Sequence, residues 1–120
     1  MNFLTAILCL NIAAHIWFLI FEMFFWKKPI ALKTFKMSQE LANSSAPLAA
    51  NQGLYNGFLA AGLIWGLMIS DPEQAFSTRL FFLSCMAVAG IYGAISANVK
   101  ILFIQALPAI LGLAVLVMTR

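Results

Sequence analysis

Residues 3–26 read FLTAILCLNIAAHIWFLIFEMFFW. The run holds one carboxylate and no Lys or Arg, and as a helix it extends about 36 Å, enough to cross the hydrocarbon core of a bilayer with some tilt. No basic residue precedes it, it is too long for the apolar region of a secretion signal, and no small-x-small site ends it. It is therefore read as a retained span rather than a cleaved leader. Working outward, three more apolar runs follow: Leu48 to Ile69, Phe76 or Leu80 to Ala97, and Ile101 to Met118. Each is about 18 to 22 residues long, again the length of a span.

The whole chain agrees with its first run. Of 120 residues, 63% are hydrophobic and 9% charged, and the mean hydropathy is +0.96. Soluble domains are about half apolar and a quarter charged, and a chain this short has no interior large enough for so many apolar side chains. A water-soluble globule is excluded. The expected fold is all-α: one integral membrane domain, 1–120, with four transmembrane helices near 3–26, 48–69, 78–97 and 101–118. Short links make neighbouring helices antiparallel, up-down-up-down.

The links carry their own chemistry. Lys27-Lys28-Pro29 closes the first span, Ser44-Ser45-Ala46-Pro47 offers a cap and an early-turn proline to the second, and Ser70-Asp71-Pro72-Glu73 separates the second from the third. Between the first two spans, residues of about 30–42 mix Ile30, Leu32, Phe35 and Leu41 with Lys33, Lys36 and Glu40. The segment reads as a short interfacial amphipathic helix with Lys36 and Glu40 paired at i, i+4. Lys27, Lys28, Lys33, Lys36 and Lys100 lie on one side of the membrane, against Arg79, Arg120 and the amino terminus on the other. The positive-inside rule then places both termini on the non-cytoplasmic side. The net charge of +3 serves orientation; without clustered basic residues it does not point to a nucleic acid. Cys9 and Cys85 both lie within spans and read as packed thiols.

Polar groups inside spans are costly and therefore informative. Asn11, His15 and Glu22 follow i, i+4, i+11 along one face of the first helix, which should turn inward because lipid offers these groups no partner. Gln52, Asn56, Tyr92 and Gln105 fall at similar depths from the lysine-bearing end, with Asn51 and Tyr55 in the same half. The other half holds little beyond Thr5 and Ser84. This asymmetry predicts a polar pocket in the cytoplasmic half of the bundle, formed by Asn11, His15, Glu22, Asn51, Gln52, Tyr55, Asn56, Tyr92 and Gln105. His15 and Glu22 are about 10 Å apart in rise, so a proton path between them needs water or an amide such as Asn56. Small residues recur every fourth position at Ala49, Gly53, Gly57 and Ala61, and again at Ala89, Gly93 and Ala97. They read as packing ridges between the second and third helices or between subunits. Pro108 with Gly112 allows the fourth span to bend beside Gln105. One His and two distant thiols make no metal site, and no catalytic set, phosphate loop or cofactor motif is present.

The stretch Ala49-Ala50-Asn51-Gln52-Gly53-Leu54-Tyr55-Asn56-Gly57-Phe58-Leu59-Ala60-Ala61-Gly62 resembles a family of small bacterial membrane proteins known as a domain of unknown function, DUF1304. The resemblance extends through His15 to Glu22, Val88 to Gly93 and Lys100 to Ala109. It implies four transmembrane helices in a bacterial inner membrane and brings no activity. The second span is also faintly similar to the trimeric membrane-associated eicosanoid and glutathione metabolism proteins. There Asn51 matches the Asn of an Arg-Ala-x-x-Asn-x-x-Glu stretch, while Pro47 and Leu54 replace its Arg and Glu.

Three functions fit these residues. One is a proton-linked carrier or exporter of a small cationic or amphipathic solute, in which Glu22 exchanges a proton for the solute and His15 relays it. Another is a lipid-interface binding protein or enzyme of the trimeric type. The last is a structural subunit whose polar groups only specify packing. Membrane lipids and a homo-oligomer, dimer or trimer, are the expected partners, with a small molecule or lipid as ligand.

Overall fold

In the computed structural model all 120 residues are described, and every regular element is helical. The helices are α1 (Phe3–Ile20), α2 (Pro29–Phe35), α3 (Gln39–Met68), α4 (Pro72–Ser96) and α5 (Leu107–Met118). A π turn at Phe21–Phe25 continues α1, and a second at Leu102–Ala106 leads into α5. Two helical stretches are long and apolar enough to cross a membrane, Phe3–Phe25 and α4. Only 28% and 22% of their apolar windows are buried, so most of that surface faces outward, unlike a soluble core helix. Leu102–Met118 is a shorter apolar helix. The thirty residues of α3 are not in that class, because Asn51, Gln52, Asn56 and the interspersed glycines dilute the apolar content.

Several boundaries move from their sequence-based positions, each for a local reason. Gln39, not Leu48, opens the second long helix, because the Ser38 hydroxyl caps it by accepting the Leu41 N–H at 3.1 Å. Pro47 consequently lies inside the helix, where the Ser44 and Ser45 hydroxyls bond back to the Leu41 carbonyl instead of capping. The interfacial segment is shorter than 30–42. It ends at Phe35, and Lys36 adopts the left-handed conformation (φ 50°) that closes α2. Lys36 and Glu40 therefore belong to no common helix, and the expected i, i+4 pairing is withdrawn. Pro72 begins α4, since the Asp71 carboxylate accepts the Gln74 N–H at 2.8 Å and Pro72 occupies the first turn. In the last segment the irregularity is the π turn at Leu102–Ala106, and Pro108 sits in the first turn of α5.

The chain divides into two compact units. One comprises Met1–Ala14 and Leu59–Arg120. Its core is Leu8, Ile12, Leu63, Leu83, Met86, Ala109 and Leu116. Leu8, Leu63, Leu83 and Met86 are fully buried, so truncating any of them to Ala is expected to cost about 2–5 kcal/mol. Close approaches are made over glycines: Gly62 faces the Phe82 ring, Gly93 faces Ile101, and Gly90 faces the backbone of Ala106. At the carboxyl end of α3, Arg79 donates from Nε to the Gly66 carbonyl at 2.8 Å, satisfying a helix-terminal acceptor. Cys9 and Cys85 are both free thiols; Cys85 is partly buried, but Cys9 is exposed and so is not the packed thiol expected.

The other unit is His15–Phe58. Here α2 is held by aromatic packing, with the Phe35 ring 5.8 Å from Phe21 and 5.1 Å from Trp26. The Trp26 indole N–H donates to Ser45 Oγ at 3.0 Å. Gly53 and Gly57 of α3 face Leu19, Glu22 and Met23 at the end of the first helix. The Gly53/Gly57 ridge seats the first helix, and Gly93 seats Ile101.

Candidate functional site

Within residues 15–58, the chemistry gathers at the π turn. A π turn carries one residue more per turn than an α-helix and so re-aims the side chains within it. Glu22 is in that turn. Opposite it, α3 comes close because Gly53 has no Cβ: one added there would lie 3.1 Å from both the Leu19 carbonyl oxygen and Glu22 Cβ. Three residues on, hence on the same face of α3, Asn56 is buried. Its Nδ2 donates to Glu22 Oε1 at 2.7 Å, at the short end of the N–H···O range. The bond engages one carboxylate oxygen and fixes the orientation of the other.

Beside this carboxylate lies a cavity of about 190 Å³, lined by Glu22, Met23, Trp26, Lys27, Lys28 and Ala46 among others. A water occupies about 30 Å³ of liquid, and an apolar cavity of about 150 Å³ holds benzene, so this volume admits a solute of roughly six to eight non-hydrogen atoms. Its walls combine the partly buried Glu22 and Trp26 with the exposed Lys27 and Lys28. A carboxylate so placed can hold a proton or a cation. No nucleophile paired with a base lines the cavity, and no group of three His, Cys, Asp or Glu comes together.

Of the nine residues expected to share one pocket, the structure brings Glu22 and Asn56 into contact, and only Glu22 lines the cavity. His15 is buried in the same unit, its ring edge-on to Phe18 at 5.3 Å. Asn51, Gln52 and Tyr55 are exposed, with the Tyr55 ring packed edge-on to Phe58. In the first unit, Asn11 is buried and donates from Nδ2 to the carbonyls of Ile7 at 2.9 Å and Pro108 at 3.1 Å. Tyr92 is exposed, and Gln105 is partly buried within the second π turn. Trp26, Lys27 and Lys28 line the cavity but are outside the set expected from the sequence, where the two lysines have a role only in orientation. Their adjacency to Glu22 in the chain was the available signal. Nothing in the sequence marks either π turn.

The chain is similar to known proteins along nearly its whole length. Residues 9–117 match the family described as "Protein of unknown function (DUF1304)". The uncharacterized protein YpaA of Lactococcus lactis subsp. lactis (strain IL1403) is 34% identical over 116 residues, covering 94% of this chain and 96% of that protein. No solved structure matches.

Proposed function

This chain belongs to the DUF1304 family, whose description leaves function open, and on the geometry around Glu22 we propose that it is an integral membrane carrier that exchanges a proton for a small cationic solute. The observation that carries the reading is the Glu22–Asn56 bond of 2.7 Å at the edge of a solute-sized cavity. An ionisable group at helix depth is retained against a cost of about 2.5 kcal/mol or more, and such residues mark ion and proton pathways. The bond to Asn56 orients the carboxylate while leaving its second oxygen for a cation, and Trp26 adds an aromatic face on which a cation is favoured.

The membrane setting is part of the same proposal. Four helical segments alternate across a bacterial cytoplasmic membrane, with both termini outside and Lys27, Lys28, Lys33, Lys36 and Lys100 inside. The outward amides Asn51 and Gln52, with Tyr55 and Tyr92, support a homo-oligomer, dimer or trimer, because lipid would leave such groups without partners. A second reading, binding at the lipid interface, is favoured by one feature: α2 exposes Ile30 and Phe35 beside Lys33, next in the chain to two residues of the cavity.

Proteoliposomes decide between them. Protein reconstituted with an internal pH dye should show proton flux when a gradient of tetramethylammonium, which cannot cross as a neutral amine, is applied. Glu22→Gln should abolish that flux. Folded, reconstituted wild-type protein that moves no protons with a panel of small cations would remove the carrier and leave the interfacial binder.

A further inference from the structure

A carboxylate alone explains why the cavity would admit a cation, but not why two lysines line it as well. Lys27 and Lys28 follow Glu22 by five and six residues and lie just past the end of the π turn. Both are exposed, whereas Glu22 is partly buried. All three line the same cavity. A simple monovalent cation is attracted by Glu22 but repelled by the neighbouring lysines, so it binds less tightly than a solute that also offers them an acid. A solute carrying both signs meets no such conflict. Its positive end reaches the carboxylate, and its negative end stays with the lysines.

Resting on the cation-binding reading of Glu22 above, we propose that the cavity takes a small amphoteric solute, with an ammonium group at one end and an acidic group two to four bonds away. Size and charge both point there. The cavity of about 190 Å³ admits roughly six to eight non-hydrogen atoms, the size of a short amino acid and far below that of a peptide or a whole lipid. The division of labour is specific: the Glu22 oxygen not engaged by Asn56 takes the ammonium, Trp26 flanks it, and Lys27 and Lys28 hold the acid. Free amino acids and the amine-bearing end of a phospholipid share this chemistry.

The test uses three probes that differ by one charged end: β-alanine, ethylamine, which lacks its acid, and propionate, which lacks its ammonium. Binding to the purified full chain in detergent is measured by equilibrium dialysis. β-Alanine should bind about tenfold or more tightly than either single-charge probe, the increment of one charge-assisted hydrogen bond. The double substitution Lys27→Gln with Lys28→Gln, at exposed positions that do not endanger the fold, should bring β-alanine down to the level of ethylamine and leave ethylamine unweakened. Glu22→Gln should lose both. If β-alanine binds no better than ethylamine, or keeps its advantage without the lysines, the amphoteric assignment fails while the cation site stands. Propionate binding as tightly as β-alanine would make this an anion site and overturn both, as would no binding of any probe. Should dipalmitoyl phosphatidylethanolamine compete with β-alanine and ethanolamine phosphate not, the source is lipid; the reverse makes it a soluble solute.

Discussion

Gly90 and Gly93 lie three residues apart on α4, yet a methyl group added at each should have opposite effects. At Gly90 the new Cβ would sit 2.5 Å from the backbone nitrogen of Ala106, 2.7 Å from its Cα and 2.8 Å from its Cβ. Ordinary contact begins near 3.4 Å, so the second π turn would have to retreat by about 0.9 Å, and no side-chain rotation can absorb that. At Gly93 the nearest atom is the Ile101 Cγ2 methyl at 3.1 Å, a side-chain rather than a backbone contact that needs to yield only about 0.3 Å. Replacing Gly by Ala inside a helix gains about 1 kcal/mol from backbone entropy in either case. Overpacking costs about 1–3 kcal/mol, with backbone contacts at the upper end. Gly90→Ala should therefore lose about 2 kcal/mol, and Gly93→Ala should be neutral or gain up to about 1 kcal/mol. Reversible denaturation in mixed micelles, followed by tryptophan fluorescence, measures both. A Gly90→Ala protein as stable as wild type, or more stable than Gly93→Ala, would refute the close approach of α4 to the second π turn.

Other expectations follow from the same contacts. Asn56→Leu removes the donor to Glu22 and should weaken ethylamine binding by about threefold to tenfold without abolishing it, since it loosens the carboxylate rather than deleting it; equilibrium dialysis reads the change. Asp71→Ala removes the cap on α4 and should cost about 1 kcal/mol, with faster amide exchange confined to residues 73–75. Asn51→Leu combined with Gln52→Leu should shift the particle in mild detergent toward the monomer by mass photometry. An unchanged mass would show that these exposed amides do not hold subunits together.

How much of this was legible in the sequence depends on which force set each feature. The apolar run 3–26 fixed the first helix to within one residue, because burial of a continuous apolar stretch overrides local detail. The partnership of Glu22 and Asn56 was foreshadowed by their similar depths. Which side of α3 faces the first helix was not. Gly53, Asn56, Ala60 and Leu63 are buried, a spacing of three, four and three residues that defines one helical stripe. Asn51, Gln52 and Tyr55 fall on the other side as a consequence. Polarity alone had placed all of them inward, whereas close packing over glycine selected the stripe. The start of α3 was misplaced because Pro47 looks like a first-turn residue, while the Ser38 cap, ten residues before the expected start, has no periodic signal beside it. The cavity combines groups that were each assigned another duty, so its charge pattern emerges only when Glu22, Lys27 and Lys28 are seen to line one space.

The π turns at Phe21–Phe25 and Leu102–Ala106 have a consequence for how this chain tolerates changes in length. A π turn is geometrically an α-helix with one surplus residue, so excising one at either of these helix ends restores regular winding and leaves the helical body it adjoins in phase. The same excision in the middle of α4 would swing everything downstream by about 100° and turn its buried stripe outward. Single-residue deletions should therefore be survivable at these two places and ruinous elsewhere in the long helices. At the first, the framework would persist while Glu22 rotates away from Asn56, separating the durability of the scaffold from the aim of its one partly buried acid.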